Sequence, residues 1–496
     1  MNMNKIKYIF LLFVSFSILS CDEMLETDPS TSIDFDKVLK KPSLVESALM
    51  GAYNSLQGYG YYGRDFIVSC EALADNLELT EKNSGRFDEQ IENETGYHIG
   101  NWGNSYDVIT RCNNVIYAVY NTLEGATENQ EKQFLAEALF LRALAYHDLL
   151  RVYSREPNYL VDNFDLGVPI VLEPFDINGK NVYPKRETVS DCYIQVVNDL
   201  DDCIEEFKDL ENISFPYRAS AKAAKALLSR VYLYQENWGA AISYSEELIG
   251  DNTNNLTGGD VYRNIFSQDS ESIFSLFFAT NESHKYNSLQ SIYTEVLNSD
   301  VGYGDLIPSE DFMDKISNND TRKSIFRNAV KGDQNVTYQE KFNGFVGTFG
   351  ADNIALIRYS EVYLNLLEAL TERGLDPDIA KAKNLLIKFK LLRNKHVFIN
   401  GSAIDLNALS PDQVTQEITD QVNALTKSDL LKEILIERRI ELAFEGHRFF
   451  DLKRKGYDIS KPDDDDNLDW DDYKVVGKIS TTQIDINDNL DQNPKY

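Results

Sequence analysis

The chain has 496 residues, with 80 acidic side chains against 49 basic ones and a formal net charge of −31. Such an acid excess repels polyanions, which argues against nucleic acid as a partner and leaves neutral or cationic ligands open. The five histidines include no pair at helical ligand spacing, and the five cysteines form no CxxC, so zinc and thioredoxin-like motifs are absent.

The first eight residues carry Lys5 and Lys7 and no acid, Ile9 to Leu19 is almost wholly apolar, and Ser20 and Cys21 follow. This is the order of a signal peptide, and its apolar stretch is too short for a permanent span. A cysteine at the cleavage point resembles a bacterial lipobox, in which Cys21 is acylated and becomes the mature N-terminus. Leu19 stands where that pattern has a smaller residue. The alternative is a plain secretory signal in which Cys21 is incidental. Removing residues 1–20 takes away two lysines and no acid, so the mature chain is more negative still. No later segment approaches the ~18–20 apolar residues of a transmembrane helix. Several acyl chains, each CH₂ contributing ~0.8 kcal/mol, would then make the attachment. Residues 21–32 are polar and acidic and read as a tether reaching at most ~35 Å.

Beyond the tether the pattern is mostly helical with long polar loops. From Glu131 to Tyr153, Phe134, Leu135, Ala138, Leu141, Ala145 and Leu149 recur at steps of three and four, which predicts a buried helix. VPIVL at 168–172 predicts a short extended piece. From Ala219 to Ile249 the sequence resembles a tetratricopeptide unit. It has two helices joined near Glu236–Asn237, with Leu228, Tyr232, Trp238, Ala241 and Ile242 at packing positions and small Ala240–Ala241 allowing close approach. Residues 355–393 predict a second helical pair. Single hairpins cannot bury their apolar faces alone, so several must stack. Residues 251–350 are richer in Gly, Asn, Ser and Asp and predict loops laid over the scaffold, with one buried strand in ESIFSLFFAT at 271–280. Cys70, Cys112, Cys192 and Cys203 could form two bridges in an exported chain; buried free thiols are the preferred reading in one this long.

Residues 428–456, SDLLKEILIERRIELAFEGHRFFDLKRKG, predict a helix capped by Ser428 or Asp429 and ended by Gly446. Leu431, Leu435 and Leu442 lie on one face, and Ile436, Ile440 and Phe444 on another, as in a helix packed on both sides. Glu437, Glu441 and Glu445 line up at four-residue spacing near Arg438, Arg439 and Arg448. They are read as buried ion pairs in preference to acid/base or metal groups, because no histidine or nucleophile accompanies them. The acidic run at 463–472 lacks the glycine and the closing glutamate of an EF-hand loop, and is read as a solvated loop.

IERRIELAFEGHRFFDLKRKG resembles the C-terminal signature of the SusD/RagB nutrient-uptake lipoproteins, and ISTTQIDINDNLDQNPKY resembles their terminus, with Ser480 in place of a frequent proline. FLAEALFLRALAYHDLLRVY with GVPIVL, IRYSEVYLNLLEAL, WGNSYDVITRCNNVI at 102–116, SEDFMDKISNNDTR at 309–322 and CDEMLETDPS are similar to further family segments, in order along the chain. The resemblance implies a mostly α, SusD-like fold: a scaffold of four tetratricopeptide-like helix pairs, long loops and a few short strands. It divides the chain into a signal peptide (1–20), a tether (21–32) and one domain (33–496), with an N-terminal half to 250, a loop-rich part at 251–350 and a C-terminal half from 351. It implies an outer-membrane lipoprotein facing outward, acting as the lid of a SusC-like TonB-dependent barrel and holding an oligosaccharide or, in some members, a peptide. No catalysis, cofactor, metal or nucleic acid is expected. Asp22 and Glu23 resemble the family's surface-export tag, although Asp22 would mean inner-membrane retention under the enterobacterial rule.

A pyranose face stacks on exposed aromatic rings, and its hydroxyls need polar groups at the ring edge. The candidates are Tyr59, Tyr61 and Tyr62 in GYGYYGRD, Trp102 beside Gly103, and Tyr286, Tyr293 and Tyr303 in the loop-rich part, with Asn76 and Arg86 as polar partners. Two readings of other classes remain: a scaffold binding only proteins, and a glycan-cleaving enzyme with two facing carboxylates ~5–10 Å apart.

Overall fold

The computed structural model describes residues 39–174, 183–210, 215–250, 253–258, 262–295, 302–344, 347–394, 411–461 and 466–496. Signal peptide, Cys21, tether and part of the acidic run lie outside the described residues. Among the described residues, no helix is long and apolar enough to cross a membrane.

The chain is mostly helical. In chain order the main helices are α1 (Pro42–Gln57), α2 (Asp65–Ala72), α3 (Trp102–Asn121), α4 (Glu128–Tyr153), α5 (Val189–Glu206), α6 (Ala221–Tyr234) and α7 (Trp238–Ile249). They continue with α8 (Tyr359–Arg373), α9 (Asp376–Leu392), α10 (Pro411–Ala424), α11 (Lys427–Leu442) and α12 (Arg448–Arg454). Consecutive helices pack as hairpins: α3 on α4, α4 on α5, α6 on α7 and α8 on α9. The hairpins stack on one another, with α7 and α11 both against α8. One continuous hydrophobic cluster runs from Leu39 to Leu490.

The predicted central helix is α4, and it starts three residues early because Thr127 and Gln130 form a capping box. From Phe134 onward every residue of α4 is buried, so it is packed on all sides and not along one stripe. Among the described residues the segment 168–172 joins no strand, although the Glu187 amide donates to Val168 O at 3.2 Å. Side chains from α3 and α4 hold its backbone instead: Tyr146 Oη donates to Val171 O at 2.8 Å and Tyr106 Oη to Pro169 O at 2.8 Å. The tetratricopeptide-like unit forms as predicted, with Asn237 capping α7 through the Ala240 amide. The second predicted pair begins later than expected, since Ile354–Arg358 is strand β6, antiparallel to the predicted strand β2 (Ser272–Leu276).

The loop-rich part holds more sheet than its composition suggests. Leu77–Leu79 (β1) pairs with Leu306–Pro308 (β3). Phe326–Lys331 (β4) and Gln334–Gln339 (β5) make a hairpin closed by the two residues Gly332–Asp333, with Gly332 at φ 63°. Gly-Asp at such a turn is a hairpin signal that the polar composition hid. The four cysteines Cys70, Cys112, Cys192 and Cys203 are separate buried thiols.

The predicted C-terminal helix is α11, with two corrections. Thr426, and neither Ser428 nor Asp429, is the cap, its hydroxyl accepting from the Asp429 amide. The helix stops at Leu442, and Gly446 (φ 81°) serves the turn into α12, where its amide donates to Glu71 Oε1 at 3.0 Å. Leu430 and Ile434 join the core, whereas Leu435 is half-buried and Ile436 partly exposed.

Candidate functional site

The aligned glutamates of the C-terminal motif lie in the interior. Glu437 accepts from Arg322 and Lys390, both at 2.7 Å. Glu441 accepts from Arg358 at 2.8 Å and Arg393 at 2.9 Å, and Glu445 from Arg358 at 2.7 Å and Lys341 at 2.6 Å. Asp320 of the Asp-x-Arg stretch closes the network on Arg322 at 2.6 Å. The surrounding cations outweigh desolvation, holding Glu437 down at about 2 and Glu441 well below the ordinary carboxylate range. Fully engaged, buried and depressed carboxylates suit a structural clamp, not proton transfer. Among the described residues no cluster of His, Cys, Asp and Glu is arranged to hold a metal.

Five of the nine proposed ligand residues are interior. Tyr61 and Tyr62 stack on each other and both donate to Asp148, which also holds Arg151. Burial, reinforced by Asp148, pushes both phenols well above their usual range. Tyr293 is fully buried against Phe342 and Phe444. Trp102 packs on Tyr106 and Tyr153 at 9% exposure. Asn76 donates to Glu71 and accepts from Arg439, both at 2.8 Å. None of these five offers a face to a ligand. Glycine neighbours and tyrosine runs suggest surface loops, but Asp148, distant in sequence, draws the Tyr61 and Tyr62 hydroxyls inward.

The other four come together. Strand pair β1–β3 brings the loop after Leu79 beside the loop before Leu306, tied by Thr80 N to Asp305 O at 2.9 Å and Ser84 N to Asp305 Oδ1 at 3.0 Å. Lys331 from the β4–β5 hairpin donates to Tyr303 O at 2.6 Å and Gly304 O at 2.9 Å, fixing the backbone under Tyr303. Arg86 then lies over the Tyr303 ring, 4.0 Å from its centroid, and donates to Tyr286 O at 3.2 Å. Tyr286 meets Tyr303 edge-on at 6.1 Å and Phe349 at 5.9 Å. Tyr286 is 46% exposed and Tyr59 51%.

Tyr59 belongs to the α1–α2 loop, which is locked to the Tyr286 segment. His284 Nε2 is 2.7 Å from Gln57 O, and its ring meets Tyr59. Gly63 is obligatory there: a Cβ would come 2.3 Å from Gln57 O and 2.8 Å from His284 Nε2. Arg64 spans the two segments, bonding Asp65 at 2.6 Å and Asn287 Oδ1 at 2.9 Å while facing the rings of Tyr59 and Phe87. Beside Arg64 and Arg86 lies an open cleft of about 420 Å³, lined by Gly60, Arg64, Arg86, Phe87, Tyr97 and Asn104 among others. Tyr59, Tyr286 and Tyr303 stand behind these two arginines and do not line it themselves. Sequence reasoning missed Arg64, Phe87 and Tyr97; Arg64 closes the same GYGYYGRD motif and was the readable one. Exposed rings with guanidinium and amide groups at their edges can stack on an apolar ring face and hydrogen-bond its substituents.

A helical-repeat scaffold that fixes loops around an aromatic cleft is the build of a binding protein. The chain belongs to the SusD family. Residues 23–233 match a family model described as starch-binding associating with outer membrane, and residues 316–496 match the SusD family model. SusD-like protein P25 of Formosa agariphila is 25% identical over 91% of this chain and 90% of that protein. SusD-like protein P38 of the same organism is 24% identical over 98% of both. Among solved structures, a SusD superfamily protein from Bacteroides thetaiotaomicron superposes with TM-score 0.77 at 26% identity, over 92% of this chain and all of that one. A SusD-like carbohydrate binding protein from Bacteroides vulgatus shares the fold at TM-score 0.73 and 22% identity, over 91% and 97% of the two chains.

Proposed function

We propose that this chain is a non-catalytic, lipid-anchored receptor on the outer face of the outer membrane. It binds an oligosaccharide in the cleft lined by Arg64, Arg86, Phe87 and Tyr97, with Tyr59, Tyr286 and Tyr303 beside it, and passes it to a SusC-like TonB-dependent barrel for which it forms the lid. The observation that carries the binding reading is the cleft: the exposed Tyr97, Phe87, the ring-stacked guanidinium groups of Arg64 and Arg86 and the Asn104 amide line one open space. The family supports an outer-membrane setting, and the printed description of the Bacteroides vulgatus relative supports a carbohydrate ligand. The lipobox-like Cys21 supports the anchor.

Calorimetry against a panel of soluble polysaccharides tests this reading. Binding to one of them, weakened about 30-fold by Tyr286→Ala, is expected, as for a buried-face aromatic anchor contributing ~2 kcal/mol. Peptide binding without any glycan binding would replace the sugar by a peptide. Released reducing ends from a bound glycan would overturn the non-catalytic reading.

A further inference from the structure

Building on the proposed cleft, we infer that it selects glycans bearing an acidic group, through Arg86. In this acid-rich chain nearly every arginine is neutralised by a carboxylate. Among the described residues Arg86, Arg155 and Arg186 have no carboxylate partner. Arg155 and Arg186 are buried and donate to carbonyl oxygens of Trp470, Asp472, Gly167 and Asn493, among others. Arg86 alone is half-exposed, and it lines the cleft. Its one hydrogen bond among the described residues, to Tyr286 O, uses a single N–H, and Tyr303 covers one face of its plane. Among the described residues the rest of the five-donor fork has no hydrogen-bond partner. A guanidinium held flat by a ring is pre-oriented for two parallel bonds to a carboxylate or a sulfate ester. The nearby acids do not cancel it: Asp65 is engaged by Arg64 at 2.6 Å, and Glu89, on the cleft wall, makes no ion pair with Arg86. The net charge of −31 opposes such a ligand only weakly at contact, because exposed charges beyond ~8 Å are screened at physiological ionic strength.

The probes are tetragalacturonate with its methyl ester, and a sulfated galactan tetramer with its desulfated form, each titrated into the full-length protein. The prediction is at least a tenfold preference for one charged form over its neutral counterpart. That preference is expected to shrink with added salt, to vanish in Arg86→Gln and to survive in part in Arg86→Lys. Preference within the galacturonate pair identifies a carboxylate ligand; preference within the galactan pair identifies a sulfate. Neutral forms bound as tightly as charged ones, with Tyr286→Ala still weakening both, would overturn the inference and leave the binding reading standing. A charge preference that persists unchanged in Arg86→Gln would overturn the role of Arg86. No saccharide bound at all would overturn both readings.

Discussion

The cleft depends on a few residues whose geometry leaves little latitude. Gly63 sits where the α1–α2 loop and the Tyr286 segment touch, and its missing side chain lets His284 reach Gln57 O. Gly63→Ala forces those backbones apart. Glycan affinity should fall at least about tenfold while the far-ultraviolet helical signal stays unchanged; titration and circular dichroism check this together. Lys331 acts one step further away, fixing the carbonyls under Tyr303. Reading these positions from sequence is hard for a physical reason. Tyr61 and Tyr62 share a motif with Tyr59, yet two point inward and one outward. What separates them is Asp148, a buried acid more than eighty residues away that needs donors. Trp102 and Tyr293 are buried instead by ring packing on Tyr106, Tyr153, Phe342 and Phe444, and Asn76 by Glu71 and Arg439, contacts that only the tertiary structure sets. Tyr286 and Tyr303 are legible as aromatics of the loop-rich part and Arg86 as a polar candidate, but their convergence rests on the β1–β3 pairing, which the short strands do not announce.

At the scale of elements, α11 is the keystone. Its helical spacing of glutamates was plain in the sequence, and so was the need to pair them once the helix was read as two-sided. The partners Arg322, Arg358 and Arg393 come from three separate stretches. The family-like segments are thus the ones that meet in this network. Removing one member leaves buried charge uncompensated, so Glu441→Ala should cost about 3–5 kcal/mol in urea unfolding. The pH dependence follows from the same pairs. The folded-state pKa values of Glu437 and Glu368 are held down to about 2, from 4.5. Such carboxylates stabilise fully above the unfolded value and lose their contribution as pH falls through the folded one. The urea midpoint should therefore drop between about pH 4.5 and 2. Glu71 and Glu137, raised mainly by burial, work with the opposite sign and soften that slope. In Glu437→Gln the drop should be smaller.

For the whole molecule, the stacked hairpins share one hydrophobic cluster, and the chain end is seated against them. Gln492 exchanges two bonds with Ile479, and Asn493 donates to Tyr153 O and Gly477 O, seating the C-terminus on the end of α4. Helix periodicity made this architecture legible, whereas the β4–β5 hairpin was missed because its strands are polar and half-exposed. A helical body with its cleft built from loops suits a receptor held by a tether. If the anchor reading holds, Cys21→Ser should move the protein from the membrane fraction to the soluble one; persistence in the membrane would contradict it.

Sugar is expected to sit in the cleft lined by Arg64, Arg86, Phe87 and Tyr97. A crystal structure of the protein with the oligosaccharide identified by titration tests this most directly. The expected result is a pyranose ring stacked on Tyr97 or on the neighbouring Tyr286, with a substituent within hydrogen-bond distance of Arg86. A sugar bound elsewhere, with the cleft open and those rings untouched, would contradict it.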